Sequence, residues 1–243
     1  MSKSYSPAWR LFTVILFRPV IKVLLTNKWA GQENIPRQGP VILAPNHMSY
    51  LDWGTDSVFF YGSGRYPTFM IKASAWKVPF IGRLLVGCGQ IPVNRGGKDA
   101  AQALKQAEQA LADGAAVIIY PEGTATRDPD LWPMVSKTGV ARLALATGVP
   151  VIPVARWGTQ NVLPYGSTKP KLWPRQTVRT VAGPPVDLSE WQGKQNSAKA
   201  LRAATDKIMA DVTALLAGLR DEEPPAVPYD PAKAVAGSDA AAE

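Results

Sequence analysis

"GPVILAPNHMSYLDWGTDSVFFYG", residues 39–62, decides the fold class. Pro40–Ala44 is a continuous apolar run of strand length, bounded by Gly39 and Pro45, and reads as a buried strand. Asp52–Gly62 reads as a helix that stops at its glycine. The short loop between them holds His47, the one histidine of the chain. Working outward, the same alternation recurs. Tyr66–Lys72, Gly89–Arg95, Ala115–Pro121 and Val149–Trp157 read as strands. Lys98–Gly114 reads as a helix with Ala103, Leu104, Ala107 and Leu111 on one face, and Ser136–Gly148 as a second helix. A short helical or irregular stretch covers Trp76–Gly89. A later strand, expected at an edge, lies in Gln176–Pro185, and the closing helix lies within Leu188–Arg220. Strands alternating with helices predict an α/β fold: a mixed, mostly parallel sheet flanked by helices.

His47 falls just after a strand and just before a helix, where open α/β sheets bind ligands. A neutral imidazole is a general base near neutral pH, and the positive end of a helix dipole favours the neutral ring. A base also needs its ring oriented, which a carboxylate on the second nitrogen achieves. Asp52 stands five residues on. The two side chains meet if His47 is in the loop and Asp52 in the first turn of the helix. With one histidine and one cysteine, Cys88, no metal site of ordinary His/Cys spacing is expected, and no disulfide framework.

The net charge is +8 and the pI about 9.6, so acidic partners are expected. The charge is unevenly spread. Residues 221–243 carry six acids and one lysine, leaving the preceding chain about +13. Rich in Pro and Ala and without periodicity, this tail is read as disordered. The first acid of the chain is Glu33. Before it, an apolar stretch holds Arg18 and Lys22, with Trp9 and Trp29 near its ends. It is too short in clean apolar residues to span a bilayer and lacks a signal-peptide cleavage site. Residues 1–30 are therefore read as an amphipathic, membrane-contacting helical segment, 31–220 as the α/β domain and 221–243 as the tail. Cations interleaved with aliphatic residues, and the absence of any nucleic-acid motif, point to anionic lipid as the partner rather than nucleic acid.

Four stretches in order carry a family resemblance. "NHMSYLD" (46–52), "GQIPVNR" (89–95), "YPEGTATR" (120–127) and "VPVIPV" (149–154) are similar to the four blocks of the glycerolipid acyltransferases, the 1-acylglycerol-3-phosphate acyltransferase family with its Asn-His-x4-Asp signature. The resemblance covers residues 35–215. It implies a membrane-associated O-acyltransferase that moves a fatty acyl group from a thioester of coenzyme A or acyl carrier protein to lysophosphatidate, with no resident cofactor, at the cytoplasmic face of a membrane. It makes His47 the base, oriented by Asp52, and Arg95 an acceptor-phosphate ligand. No Gly-x-Ser-x-Gly elbow occurs, so direct transfer without an acyl-enzyme is expected. Lys72, where the family commonly has a lysine, is read either as an oxyanion partner or as a solvated lysine. Glu122 either accepts bonds from acceptor hydroxyls or braces a loop. Gly123 allows close backbone approach, and Thr124 and Arg127 complete the block. Many relatives have an arginine where this chain has Ala125, which puts the acceptor contacts in question. Lys137, in "SKTG", is read either as a pocket cation or as a solvated helix-start lysine. Two other readings stay open: acylation of another acceptor, such as glycerol-3-phosphate, another lysophospholipid or a glycolipid, and a non-catalytic lipid-binding module. The sequence leaves chain length, donor, acylated hydroxyl and oligomeric state undetermined.

Overall fold

The structure is a computed structural model that describes residues 5–94 and 97–233. Seven strands form one sheet in the order β1-β7-β6-β2-β5-β3-β4. In chain order the elements are α1 (Pro7–Leu24), β1 (Leu25–Ala30), β2 (Val41–Pro45), α2 (Asp52–Gly62), β3 (Pro67–Lys72), α3 (Ile81–Gly87), β4 (Ile91–Val93), α4 (Gly97–Ala112), β5 (Ala116–Ile118), α5 (Gly139–Thr147), β6 (Val151–Trp157), α6 (Thr159–Val162), β7 (Gln176–Ala182) and α7 (Ala198–Arg220). The pairs β2–β5, β2–β6, β3–β5 and β3–β4 are parallel. Strand β7 is antiparallel to β6 and parallel to β1. The sheet is therefore mixed and mostly parallel.

Strand side chains alternate between faces, and both faces are apolar. Ile42 and Ala44 of β2 pack with Val117, Val151 and buried residues of α4, α5 and α7. Val41 and Leu43 turn the other way, onto Phe59 and Phe60 of α2. Such double coverage explains why β2 is a continuous apolar run rather than an alternating one. The α4 residues Ala103, Ala107 and Leu111 are buried as their spacing predicts.

Two expectations are corrected. The segment read as residues 1–30 is divided: α1 stops at Leu24, and residues 25–30 are strand β1, which runs alongside β7. In consequence β7 is not an edge strand; β1 takes that place. Gly31 follows β1 with φ of +71°, in the left-handed region, and the position of a Cβ there would lie 1.9 Å from the Ala182 carbonyl oxygen. Asn34 Nδ2 donates to the same oxygen at 2.9 Å. Only glycine lets the β1 edge close onto β7.

Helix α1 has an unusual distribution of polarity. Its exposed positions include Leu11, Phe12, Ile15, Leu16, Val20 and Val23, with Ile15 at 64% and Val23 at 71%. Its arginines are half-buried. The Arg10 guanidinium lies over the rings of Tyr5 and Tyr66 at 3.4 and 4.4 Å, and Arg18 lies 5.8 Å from the Tyr61 ring centroid. The apolar face continues onto exposed Phe80 and Ile81 at the start of α3. No described helix is long and apolar enough to cross a membrane.

At the other end of the chain, Arg220 closes α7 between the rings of Trp132 and Trp157, at 4.0 and 4.4 Å, and donates to the Asp130 carbonyl. Of the acidic tail read as disordered, residues 221–233 are described. Within them Tyr229 accepts a bond from the Val135 N–H at 2.9 Å. Residues 234–243 lie outside the described residues.

A pair of substitutions separates backbone strain from steric closure. Gly39 also has positive φ, but a Cβ there meets nothing within 4 Å. Gly39→Ala is expected to lower stability by about 1 kcal/mol, the ordinary cost of a left-handed non-glycine residue. Gly31→Ala is expected to cost about 2–3 kcal/mol or more, because β1 must also move away from β7. Urea unfolding of the two variants checks the difference.

Candidate active site

The site is built at the carboxyl end of β2. Asn46 Nδ2 donates to the Arg156 carbonyl at 3.0 Å and Asn46 Oδ1 accepts the Arg156 N–H at 2.8 Å. This two-way bond ties the ends of β2 and β6 together and fixes where the next residue, His47, leaves the sheet. The His47 peptide is held on both sides by the loop after β5. Its N–H donates to Glu122 Oε1 at 3.0 Å, and its carbonyl accepts the Thr126 N–H at 2.7 Å.

The ring is held as firmly. His47 Nδ1 lies 2.8 Å from Asp52 Oδ2, and the imidazole stacks on Tyr120 with centroids 4.4 Å apart and planes 25° from parallel. Asp52 is the first residue of α2 and fully buried. The same Oδ2 accepts the N–H groups of Met48 and Ser49 at 2.7 and 3.0 Å. Its Oδ1 accepts Thr159 Oγ1 at 2.6 Å and faces a guanidinium nitrogen of Arg156 at 3.2 Å. Burial pushes this carboxyl upward. The Arg156 charge and the bonds from His47 and Thr159 overcome that, leaving Asp52 well below the usual carboxylate range. An ionised acceptor on Nδ1 fixes the proton there and leaves Nε2 to accept another. The side chain of His47 is 15% exposed, so the ring is reachable.

Beneath this pair lies a buried charge network that the motif reading did not find. Arg156 of β6 is fully buried and contacts both Asp52 and Asp56. Asp56 also accepts the Tyr120 hydroxyl at 2.7 Å. Burial, against the pull of Arg156 and Tyr120, pushes Asp56 up to about 6. Burial disfavours the Arg156 charge, but Asp56 and Asp52 more than offset it, and the guanidinium stays cationic. Burial and the neighbouring Asp56 carboxyl hold the Tyr120 phenol well above its ordinary value, so it remains a donor. Two signals were available in sequence. Asp52 and Asp56 are four apart, on one helix face, and Arg156 interrupts an apolar strand.

The other expected residues are placed as follows. Glu122 is buried and braces loops: besides His47, it accepts the Met134 N–H at 3.0 Å through Oε2. Burial, opposed by those two N–H donors, pushes it up to about 8. Gly123 has φ of +72°, and the stem and amine of Lys137 lie over it, 3.4 Å from the position of a Cβ. Lys137 also donates its N–H to the Pro121 carbonyl. The exposed Arg127, with Tyr50 and Thr124, lies close enough to the Tyr165 hydroxyl to lower its pKa. Tyr165 belongs to the chain after α6, where the Leu163 carbonyl accepts Ser49 Oγ at 2.6 Å. These residues thus gather around the His47 loop. Ala125, where the resemblance leads one to expect an arginine, is fully buried. Lys72 ends β3 with an exposed side chain, two strands away from β2. Arg95 lies outside the described residues. Among the described residues no group of three or more His, Cys, Asp or Glu is placed to hold a metal. An apolar cavity of about 90 Å³ lies between α1, α2, β3 and α3, with Phe17, Trp53, Phe69 and Leu84 in its wall.

The sequence matches the Acyltransferase family over residues 27–157, more than half of the chain. The chain belongs to the Acyltransferase family. The matched span contains His47, Asp52, Asp56, Tyr120, Glu122 and Arg156, while Thr159 lies just beyond it. A 1-acyl-sn-glycerol-3-phosphate acyltransferase of Borreliella burgdorferi is 34% identical over 142 residues, 58% of this chain and 53% of that protein. A chloroplastic 1-acyl-sn-glycerol-3-phosphate acyltransferase of Brassica napus is 33% identical over 139 residues, 56% of this chain and 39% of the relative. The chain thus spans about half or less of the length of these two relatives. A Pseudomonas aeruginosa protein of the same description is 29% identical over 226 residues, covering 90% of this chain and 82% of its own. The fold is shared with the crystal structure of the acyltransferase PlsC of Thermotoga maritima, at a TM-score of 0.69 and 24% identity, covering 89% of this chain and 83% of that one.

Two outcomes follow from the buried groups. Arg156→Met leaves two buried carboxylates without their cation and is expected to cost about 3–5 kcal/mol in urea unfolding. Glu122 in the unfolded chain titrates near its ordinary value of about 4.3. Held near 8 when folded, it keeps a proton that the unfolded chain has lost. Stability is then expected to fall as pH rises between those values. Above pH about 6 Asp56 has already ionised, so the fall from pH 6 to 8 belongs mainly to Glu122. Glu122→Gln is expected to flatten that part of the stability–pH curve, whatever its effect on absolute stability.

Proposed function

We propose that the protein transfers a fatty acyl group from an acyl thioester to the free hydroxyl of lysophosphatidate, forming phosphatidate. The observation that carries this reading is the His47–Asp52 pair, held at the carboxyl end of the sheet in a chain of the Acyltransferase family. The names of its relatives supply the acceptor class.

In this reading His47 Nε2 takes the proton of the acceptor hydroxyl as its oxygen attacks the thioester carbonyl. Asp52 stabilises the imidazolium that results. The tetrahedral intermediate collapses with cleavage of the C–S bond. The proton passes from His47 to the departing thiolate, so ester and thiol leave and the enzyme returns unchanged. No side chain becomes acylated. Thr124, Arg127 and Lys137, with Arg95, are assigned to the acceptor and its phosphate. Lys72 is assigned to the developing oxyanion. The apolar cavity between α1, α2, β3 and α3 is assigned to the acyl chain.

The exposed apolar face of α1 supports work at a membrane surface without a crossing segment. Buried Ala125 favours one second reading, an acyltransferase for another acceptor, because a phosphate contact common to similar sequences is missing at that position.

The test is a lipid assay by mass spectrometry. Purified protein receives an acyl thioester and vesicles containing lysophosphatidate, glycerol-3-phosphate or a neutral lysolipid. Phosphatidate should be the main product. His47→Ala should lower turnover by about 10²–10⁴-fold with an unchanged circular-dichroism spectrum. Near-normal turnover by that variant would rule out the proposed base, and preference for another acceptor would select the second reading.

A further inference from the structure

A second basic feature lies toward the β1 edge, apart from the His47 loop. Lys28 of β1 and Arg179 of β7 are register partners on neighbouring parallel strands, and Arg179 is the partner of Trp157 on β6. Like charges side by side across a ladder repel. Both side chains are exposed. Among the described residues, no carboxylate lies within ion-pair distance of Lys28, Arg175 or Arg179. All three line one cavity of about 470 Å³, together with Asn161 and Gln176. Residues 157–186 contain Lys169, Lys171, Arg175 and Arg179 and no acid. The Arg179 fork, the Lys28 ammonium and the Asn161 amide supply donors for a phosphate, and Arg175, although one of its nitrogens is bonded to backbone carbonyls, adds its charge.

The neighbouring chain indicates which phosphate. Leu172 and Trp173 stand in the excursion between α6 and β7, flanked by Lys171 and Arg175. Leu172 is 41% exposed and Trp173 88%. An exposed tryptophan between cations suits the headgroup level of a bilayer. Arg175 joins this excursion to α1: its guanidinium donates to the carbonyls of Lys22 and Leu25, where α1 passes into β1. Arg175 therefore ties one wall of the basic cavity, and the excursion that carries Trp173, to the end of α1.

We propose that this cavity binds the phosphate of an anionic phospholipid headgroup, with Leu172 and Trp173 set into the same leaflet. The phosphate bridges Lys28 and Arg179 and converts their repulsion into a shared contact. Single-stranded nucleic acid would also suit cations beside a tryptophan, but exposed Leu172 and the apolar face of α1 select lipid. The inference rests on the reading that the protein works at a bilayer and adds a contact separate from the apolar face of α1. None of these residues belongs to the His47 machinery.

The test uses the full chain and vesicles of phosphatidylcholine, with or without phosphatidylglycerol. The variants are Lys28→Gln with Arg179→Gln, Trp173→Ala, and, as a control of equal charge change, Lys105→Gln with Arg142→Gln on α4 and α5. The first double variant is expected to bind anionic vesicles about tenfold or more weakly. Its binding to neutral vesicles and its turnover of a short-chain soluble substrate should be unchanged. Trp173→Ala should weaken binding to both vesicle types. Unchanged binding of anionic vesicles by the first double variant overturns the proposal, as does an equal loss in the control. Loss of binding to a labelled oligonucleotide with vesicle binding intact also overturns it. If the wild-type chain binds neither vesicle type, the membrane reading itself has failed.

Discussion

The guanidinium of Arg156, sealed at the end of the sheet between two carboxylates, is the interaction on which the site depends. An isolated buried cation is untenable, and so is either buried aspartate without it. Together they become tolerable because each charge faces its opposite and the carboxylates accept further hydrogen bonds, although Arg156 Nε and Nη1 have no hydrogen-bond partner of their own. Thr159 and two backbone N–H groups complete Asp52, and Tyr120 completes Asp56. The arrangement is asymmetric. Asp52 takes the larger share of hydrogen bonds and stays ionised, whereas Asp56 is pushed toward neutrality. The carboxylate that meets the imidazole therefore keeps its charge, and the second one absorbs the cost of crowding.

The network also positions groups that never touch Arg156 directly. Tyr120 is held by its hydroxyl on Asp56 and presents its ring to His47. The main chain of Arg156 is bonded both ways to Asn46, so the residue that neutralises the aspartates also fixes the start of the His47 loop. Glu122 then joins that loop to the segment at Met134, which Arg220 covers through Trp132. Four separate parts of the chain thereby constrain one ring.

What was legible in the sequence was what is local. The unit from Val41 to Gly62 is set by a run of apolar residues, a turn and a helical period, and each can be read within a few residues. The pairing of β1 with β7 is not local. Residues 25–30 follow an apolar helix without any breaker, and only their partner on β7 makes them a strand. For the same reason β7 read as an edge. The His47–Asp52 geometry was accessible because loop and helix start are adjacent in sequence. Arg156 was legible only as a break in an apolar strand, because nothing in "VPVIPVARW" tells an arginine that reaches solvent from one buried beneath two aspartates. Glu122 was recognisable as part of a block, but its choice between bracing and binding is made by Met134 and His47 together, from two different loops.

Helix α1 passes into β1 with no intervening residue: Leu24 closes one and Leu25 opens the other. A flexible tether would let the α/β domain tumble above whatever surface the helix touches. This junction acts instead as a rigid mount, with Arg175 bolted across it. Any surface that accepts the apolar flank of α1 also sets the tilt of the sheet and the height of His47 above that surface. In the proposed function attachment and aiming become one event, and encounter with a lipid acceptor is reduced from a search through volume and orientation to diffusion in a plane.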